Sequence, residues 1–284
     1  MRGKYVPKQR LQELDRILSD RDKAILRSLE QYRYFITGQI QRLHFTDNAN
    51  PTAALRTANR VMVRLRDCGM AGILERRVGG LRAGSGSYVW TLTESGVFLL
   101  HSGDTDYTPR KRAFEPSLIF LKHTLEVSET YVQLTEICRR HNLKLIKTEA
   151  EPSCWRGYTG EDGKPAAMKP DMYAVTCNGK YEDSWFIEVD MNTESPSVVV
   201  EKCRRYAFYC NSGIEQDKHG VFPLVVWLAY SDSRKNKLQQ YIADSREIPE
   251  KSKGIFTVIM PNEFETLICG GAEASSVKGV QNDN

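Results

Sequence analysis

The stretch KPDMYAVTCNGKYEDSWFIEVDMNTESPSVVVEKCRRYAFY (residues 169–209) predicts a strand, a turn, a second strand and a helix. β-Branched and aromatic residues indicate the two strands, and Asn178-Gly179 between them is a turn signal because both residues tolerate positive φ. Ser195-Pro196 predicts the start of the helix, with serine at the cap and proline at the first position. We therefore expect a β-hairpin followed by a helix at the centre of the C-terminal half.

The second predicted strand carries two carboxylates, Glu188 and Asp190, which project from one face because they are two residues apart. If Asn178-Gly179 forms a two-residue turn, Asp171 faces Phe186 and is a diagonal neighbour of Glu188. A one-residue slip would separate the three acids, whereas a longer loop of the same parity would keep them together. Adjacent carboxylates repel, and a hard divalent cation, Mg²⁺ or Mn²⁺, is the simplest compensation. The three acids are candidate metal ligands; the alternative is a solvated strand face that ends in acids.

Pro170-Asp171 and Glu188-x-Asp190 resemble the PD-(D/E)xK nuclease core, with Asp190 where that core has lysine and Lys202 of the next helix as a migrated lysine. A longer pattern, Lys-Pro-Asp, Phe-Ile-Glu-Val-Asp, Thr-Glu-Ser and Glu-Lys-Cys-Arg-Arg-Tyr, resembles the replication-relaxation family of bacterial plasmids and integrative elements. The resemblance covers approximately residues 20–261 and implies a winged-helix N-terminus and a nuclease-like C-terminus. It implies catalytic roles for Asp171, Glu188, Asp190 and Lys202. For Lys202 the alternative is an ion pair with Asp190 or Glu188.

Charge is divided unevenly along the 284 residues, a length that suits two domains. Residues 1–112 carry 20 Lys+Arg and 11 Asp+Glu, a net charge of +9, and residues 113–284 carry 20 and 25, a net charge of −5; together they give the +4 of the whole chain. A basic first half suggests binding to a polyanion. The acidic second half is less suited to phosphates unless metal ions offset its charge.

Membrane and secretory signals are absent from the sequence. No apolar run approaches the roughly 18 residues of a membrane span, and the first residues, MRGKYVPKQRLQ, lack the apolar core of a signal peptide. The seven cysteines form no CxxC pair and no metal-ligand spacing, so we expect reduced thiols. The predicted location is cytoplasmic, without a membrane partner.

The N-terminal half predicts short helices followed by a hairpin. Apolar stripes and caps indicate helices at 20–32, from Thr37, and after Asn50-Pro51. Strands are expected at 73–78 and 88–92 around a glycine-rich basic tip, an order that resembles a winged helix-turn-helix. A further amphipathic helix at 8–18 packs on its own domain or on a second copy, so a homodimer is one expected assembly.

Arginines mark the predicted DNA-binding surface. Arg56, Arg60 and Arg64 recur at i, i+4 and i+8 on the helix after Asn50-Pro51, and Asn59 lies beside them. Such a helix fits the major groove of double-stranded DNA, where arginine reads guanine or binds phosphate. The wing would hold the flanking backbone through three further arginines: Arg76, Arg77 and Arg82. The alternatives are an ordinary exposed arginine stripe and a protein-binding winged helix.

The domain prediction is a winged-helix domain at 1–102, a linker at 103–116, a nuclease-like domain at 117–268 and a disordered tail at 269–284. In the second domain the predicted order is helix, three strands, helix, strand, helix, strand, with a polar loop at 151–168. This order indicates an α/β fold with a restriction-endonuclease-like mixed sheet flanked by helices.

The sequence thus leads to two functional expectations. The first is a DNA-binding protein of a mobile element that acts in plasmid replication, DNA relaxation or conjugative mobilisation, with metal-dependent nicking in its C-terminal domain. Its partners would be duplex DNA and plasmid replication or conjugation proteins. The alternative is a non-catalytic winged-helix regulator whose degenerate nuclease-like domain dimerises or recruits partners; Asp190 in the lysine position favours it.

Overall fold

A computed structural model describes residues 6–47, 50–76, 87–102, 115–160 and 162–270. The chain divides into two compact units, Met1–Glu136 and Ile137–Asn284. The first unit thus extends beyond the linker expected at 103–116, and the predicted domain boundaries remain a prediction. In the described part of the chain, no helix is long and apolar enough to cross a membrane.

The first unit consists of helices around a small antiparallel sheet of strand order β1-β3-β2. Its elements are α1 (Lys8–Ile17), α2 (Asp20–Tyr32), β1 (Phe35–Ile36), α3 (Thr37–His44), α4 (Pro51–Asp67), β2 (Ala71–Ile73), β3 (Val89–Leu92), α5 (Glu94–Leu100) and most of α6 (Leu118–Arg140). The second predicted wing strand begins at Val89, and the first ends at Ile73, where we expected it to start. The expected wing tip, including Arg77 and Arg82, lies outside the described residues.

Polar side chains cap the starts of α2 and α4. Ser19 and Asp22 form a reciprocal capping box at α2, and the Asn50 side chain accepts hydrogen bonds from the first turn of α4. Leu14 of α1 and the following Leu18 are buried, and α1 packs against α5. Leu14 and Leu18 of the stripe are therefore used within the first unit, whereas Ile17 is exposed, and packing on a second copy remains a prediction.

The part of α6 that belongs to the first unit is tied to the elements before α4. The Ser128 hydroxyl donates to the carbonyl of Tyr34 at 2.7 Å, and Tyr131 stacks on Tyr32 with 4.2 Å between ring centroids. Arg42 of α3 donates from Nε to Glu136 at 2.8 Å. These contacts explain why residues 118–136, which the sequence assigned to the second domain, group with the first.

The second unit is built on a five-stranded mixed sheet of order β10-β9-β8-β7-β4. Its elements are β4 (Lys144–Ala150), β5 (Arg156–Thr159), β6 (Pro165–Met168), β7 (Met172–Cys177), β8 (Glu182–Asp190), α7 (Pro196–Asn211), α8 (Ile214–His219), β9 (Leu224–Ala229), α9 (Asp232–Asp244), α10 (Glu250–Lys253), β10 (Phe256–Ile259) and α11 (Phe264–Gly270). β4, β7 and β8 are antiparallel, whereas β8, β9 and β10 are parallel. The mixed α/β class is confirmed.

The interpretation of residues 151–168 as one polar loop was wrong. β5 and β6 pair antiparallel as a separate two-stranded ribbon, from Arg156 opposite Met168 to Thr159 opposite Pro165. Their sequences, RGYT and PAAM, contain few β-branched residues, so the strand signal is weak.

The hairpin of β7 and β8 also differs from the prediction. Cys177 pairs with Glu182, so four residues rather than two form the loop. The Asn178 side chain widens the loop by accepting hydrogen bonds from the backbone N–H of Lys180 and Tyr181. The loop is longer than predicted by two residues, an even number, so Asp171 stays on the same face of the sheet as Glu188. Asp171 precedes the Met172–Ile187 pair and therefore lies across from Glu188 rather than Phe186.

One face of the five-stranded sheet packs on α7 and α9. It presents aromatic and β-branched residues of β7, β8 and β9, including Phe186 and Trp227, to Val199 and Cys203 of α7 and Leu238 of α9. Glu188 and Asp190 lie two and four residues after Phe186 on β8, so they project from this same, helix-covered face.

Candidate functional site

Asp171 enters the site at the start of β7. Its backbone N–H donates to the carbonyl of Ile187 at 3.1 Å, which fixes it across from the end of β8. Its carboxylate oxygen Oδ2 accepts from the backbone N–H of Val189 at 2.8 Å. The residue is 8% exposed. Asp171 thus supplies a negative charge beside Glu188 from a position set by the sheet itself.

Glu188 lies at the centre of the site and is 1% exposed. The Tyr206 hydroxyl donates to its Oε1 at 2.6 Å, and Lys202 Nζ donates to its Oε2 at 2.9 Å. Lys202 and Tyr206 are four residues apart on α7, so one helix face supplies both donors. Burial, with a smaller contribution from Asp171, raises the pKa of Glu188 to about 7, although Lys202 opposes this shift.

Lys202 is held by two carboxylates. Its Nζ is 2.9 Å from Glu188 Oε2 and 2.7 Å from Glu194 Oε1, and it lies 5.5 Å from the ring centroid of Trp227. Burial acts against its protonation, but the charges of Glu188, Asp171 and Glu194 outweigh burial and hold the pKa of Lys202 above its ordinary value. Lys202 is therefore a charged ammonium group among three acids.

Asp190 is separated from this cluster by its own counter-charge. Arg234 of α9 donates to it from Nε at 3.1 Å and from Nη2 at 2.7 Å, both to Oδ2, and the backbone N–H of Asn192 donates to Oδ1. The side chain of Arg234 is 6% exposed and that of Asp190 is fully buried. Arg234 also donates to the carbonyl of Glu194 at 2.8 Å, so it fixes the segment that presents Glu194 to Lys202.

The four residues predicted as catalytic are therefore divided between two groups. Asp171, Glu188 and Lys202 come together, and Asp190 pairs with Arg234. Glu194 and Arg234 were not predicted. Ala229, the end of β9, pairs with Asp190, and α9 begins three residues later, so a basic residue in the first turn of α9 was a usable signal.

The predicted three-carboxylate metal set is not present as a unit in the described ranges, where no three His, Cys, Asp or Glu side chains are placed to hold a metal ion. Asp171 and Glu188 are a different donor set. Magnesium is commonly bound by one or two carboxylates together with water and phosphate oxygens, and these two residues fit that pattern. A metal role for these residues remains a prediction.

The first unit presents an open groove of about 1020 Å³ between α3, α4 and the start of β3. Arg56, Asn59 and Arg60 of α4 line it, together with Thr37 and Gly38 of α3 and with Ser87 and Tyr88 beside β3. Three of the predicted DNA-binding residues therefore share one concave surface.

The remaining predicted DNA-binding arginines are arranged differently. Arg64 donates to the nearly buried Asp22 of α2 at 2.6 Å, which directs it to the capping box rather than into the groove. Arg76 lies 4.0 Å from Glu115. Arg77 and Arg82 lie outside the described residues.

The protein thus has two units: a helical one with an arginine-lined groove, and an α/β one with a buried acid–lysine cluster. A family model described as replication-relaxation matches residues 26–225, most of the 284-residue chain. The chain therefore belongs to the replication-relaxation family, which confirms the resemblance and suggests a role in plasmid replication or relaxation. Comparisons with curated proteins and with solved structures gave no significant match.

Proposed function

We propose that the first unit is a winged helix-turn-helix that binds double-stranded DNA, and that the protein acts in the replication, relaxation or mobilisation of a plasmid or integrative element. The observation that carries this proposal is the groove that Arg56, Asn59 and Arg60 line. Arginine and asparagine are the side chains that pair with guanine and adenine edges in the major groove. The order α2, β1, α3, α4, β2, β3 supports the winged-helix assignment, with α4 as the recognition helix.

Fluorescence anisotropy with a labelled duplex and the full chain tests this proposal. Each phosphate contact contributes about 0.9 to the slope of log affinity against log salt, so an Arg56→Ala or Arg60→Ala change that removes one contact should lower the slope by about one. Arg66→Ala is the matched control, because Arg66 is on the same helix but pairs with Asp67 outside the groove. Salt-independent binding, or equal losses in all three variants, would refute the proposal.

For the second unit we propose slow, metal-dependent nicking of DNA that the first unit delivers. Asp171 and Glu188 would hold Mg²⁺ or Mn²⁺, and the bound cation would lower the pKa of a water molecule. Lys202 would stabilise negative charge on the phosphate, since it is a charged donor that is 29% exposed beside the two acids. Tyr206 holds Glu188 in position through Oε1.

Incubation of supercoiled DNA with the protein and manganese measures this activity directly, alongside calorimetric titration of manganese. Glu188→Gln and Asp171→Asn should abolish nicking and weaken metal uptake, whereas Glu182→Gln, an exposed change at the start of the same strand, should leave both unchanged. Unaltered metal uptake and nicking in the first two variants would show that the acids are structural.

The Asp190–Arg234 pair favours the second candidate, a non-catalytic regulator. At the position of the nuclease lysine this chain has Asp190, which Arg234 holds in place. In the second candidate, the sheet serves assembly with a second copy or with replication or conjugation proteins. Duplex binding without nicking in the presence of manganese supports this candidate. Both candidates place the protein in the cytoplasm.

A further inference from the structure

A second groove, in the C-terminal unit, lies between the β5–β6 ribbon and α7 and has a volume of about 740 Å³. From α7 it receives Glu201, Arg204, Arg205 and Phe208, which recur at i, i+3, i+4 and i+7 and so form one helix stripe. Lys202 and Tyr206 belong to a different stripe of the same helix. The groove is therefore separate from the acid–lysine cluster but is built on the same element.

The charged side chains of this groove suit an anion. Among the described residues that line the groove, Lys169, Arg204 and Arg205 outnumber Asp162 and Glu201 by one. Glu201 accepts from Arg204 Nε at 2.9 Å and from Arg205 Nε at 2.8 Å, so it anchors both guanidinium groups at the wall of the groove. These bonds hold the pKa of Glu201 below its ordinary value. Within the part of the chain that the structure describes, Arg205 has only this partner, and a guanidinium has five N–H donors.

Aromatic side chains accompany these cations. Tyr158 and Phe208 of the groove lining pack against each other with 5.5 Å between their ring centroids, and both side chains are partly exposed. At the edge of the groove, Lys169 Nζ lies 4.6 Å from the ring centroid of Trp155, which is 38% exposed. Aromatic faces beside cationic side chains are the combination by which proteins bind single strands without reading sequence.

The groove and the acid–lysine cluster are built on the same two chain segments, the end of β6 and α7. Lys169 follows the last residue of β6 and stands two positions before Asp171 in the chain. α7 carries the arginines on one stripe and Lys202 on another.

We propose that this groove binds a segment of single-stranded DNA, with phosphates on Arg205, Arg204 and Lys169 and a base against Tyr158 and Phe208. The volume of about 740 Å³ accommodates a nucleotide-sized ligand. The proposal rests on the proposed function of the chain in DNA processing, and it adds that the second unit holds an unpaired strand beside the acid–lysine cluster.

The test is anisotropy of a labelled oligo-dT strand with the full chain carrying Arg56→Ala and Arg60→Ala, which suppresses binding at the first groove. On this background, Arg205→Ala should lower the slope of log affinity against log salt by about 0.7, the value for one phosphate on a single strand. Tyr158→Leu should weaken binding about tenfold, and Tyr158→Phe should preserve it because the aromatic face remains. Arg246→Ala, an exposed change elsewhere in the unit, should have no effect.

Equal binding by the Arg205→Ala, Tyr158→Leu and control proteins, or no binding of the strand, would overturn the proposal. Thermal unfolding of each variant identifies any loss that comes from misfolding, and Tyr158→Phe provides a second variant that keeps the ring packed. Duplex affinity is measured separately on the otherwise unchanged chain. Loss of duplex binding in Arg56→Ala with unchanged strand binding supports two separate sites. Normal duplex binding in Arg205→Ala with reduced strand binding supports the strand site in the second unit.

Discussion

Replacing Arg234 by methionine tests whether Asp190 is structural. Asp190 is buried on the helix-covered face of the sheet, and three of the hydrogen bonds it accepts come from Arg234. Methionine is of similar length and fills the space but leaves the carboxylate without its counter-charge. Breaking a buried ion pair from one side typically costs about 3–5 kcal/mol, and we expect Arg234→Met to lower the free energy of unfolding of the second unit by that amount.

Urea unfolding followed by tryptophan fluorescence measures this change. Trp155, Trp185 and Trp227, three of the four tryptophans, are in the second unit, so the signal reports chiefly on it. The double variant Asp190→Asn/Arg234→Met removes both charges and should recover much of the loss, because the cost comes from the isolated carboxylate. Lys237→Met, an exposed change on the same helix, should stay within about 0.5 kcal/mol of the wild type.

Two results would contradict a structural role: Arg234→Met unfolding at the wild-type urea concentration, or a loss in the double variant equal to the sum of the Arg234→Met and Asp190→Asn losses. Either result would mean that Asp190 does not depend on Arg234.

Two further predictions concern titration and the first groove. Because the pKa of Glu188 is raised from 4.5 to about 7, the protonated acid favours folding, and this contribution is present below pH 4.5 and lost as pH rises through 7. The shift corresponds to about 3 kcal/mol. The free energy of unfolding of the wild type, measured relative to Glu188→Gln by urea titration, should therefore fall by about that amount between pH 4.5 and 8. A difference between the two proteins that does not change with pH would contradict this prediction. Arg64→Ala should weaken duplex binding less than Arg56→Ala does. It should destabilise the first unit by only about 1 kcal/mol, since Arg64 is half-exposed and Asp22 keeps its bond to Ser19. Anisotropy measures the binding and thermal unfolding the stability; a loss of DNA binding equal to that of Arg56→Ala would show that Arg64 contacts DNA.

Local rules predicted that the three acids share a face of the sheet, but not the register of the hairpin. Alternation along β8 fixes the shared face of Glu188 and Asp190, and parity brings Asp171 to that face whether the loop has two residues or four. The choice between the loops depends on the Asn178 side chain, which accepts two backbone N–H groups in the wider loop. These hydrogen bonds depend on the conformation of the whole loop, which the Asn-Gly pair alone does not determine.

Charge partners distant in sequence explain the remaining differences. Arg64 belongs to the arginine stripe by periodicity, but Asp22, 42 residues earlier, lies close enough to bind it. Asp190 belongs to the acidic face by alternation, but Arg234, 44 residues later, neutralises it. Helical and strand periods assign a residue to a face, whereas only tertiary packing decides whether that face meets solvent, a counter-charge or a ligand.

The two buried carboxylates of β8 differ in how firmly their cations are held, and this difference bears on where chemistry could occur. Arg234 is almost fully buried and bound to both Asp190 and the Glu194 carbonyl, so moving it would break several bonds at once. Lys202 is 29% exposed and shared between Glu188 and Glu194, while Tyr206 remains as a second donor to Glu188. A phosphate could therefore draw Lys202 away without leaving Glu188 unpartnered, whereas Asp190 has no comparable freedom. For the proposed nicking, this asymmetry favours Glu188 and Lys202 over Asp190 as the residues that act on a phosphate.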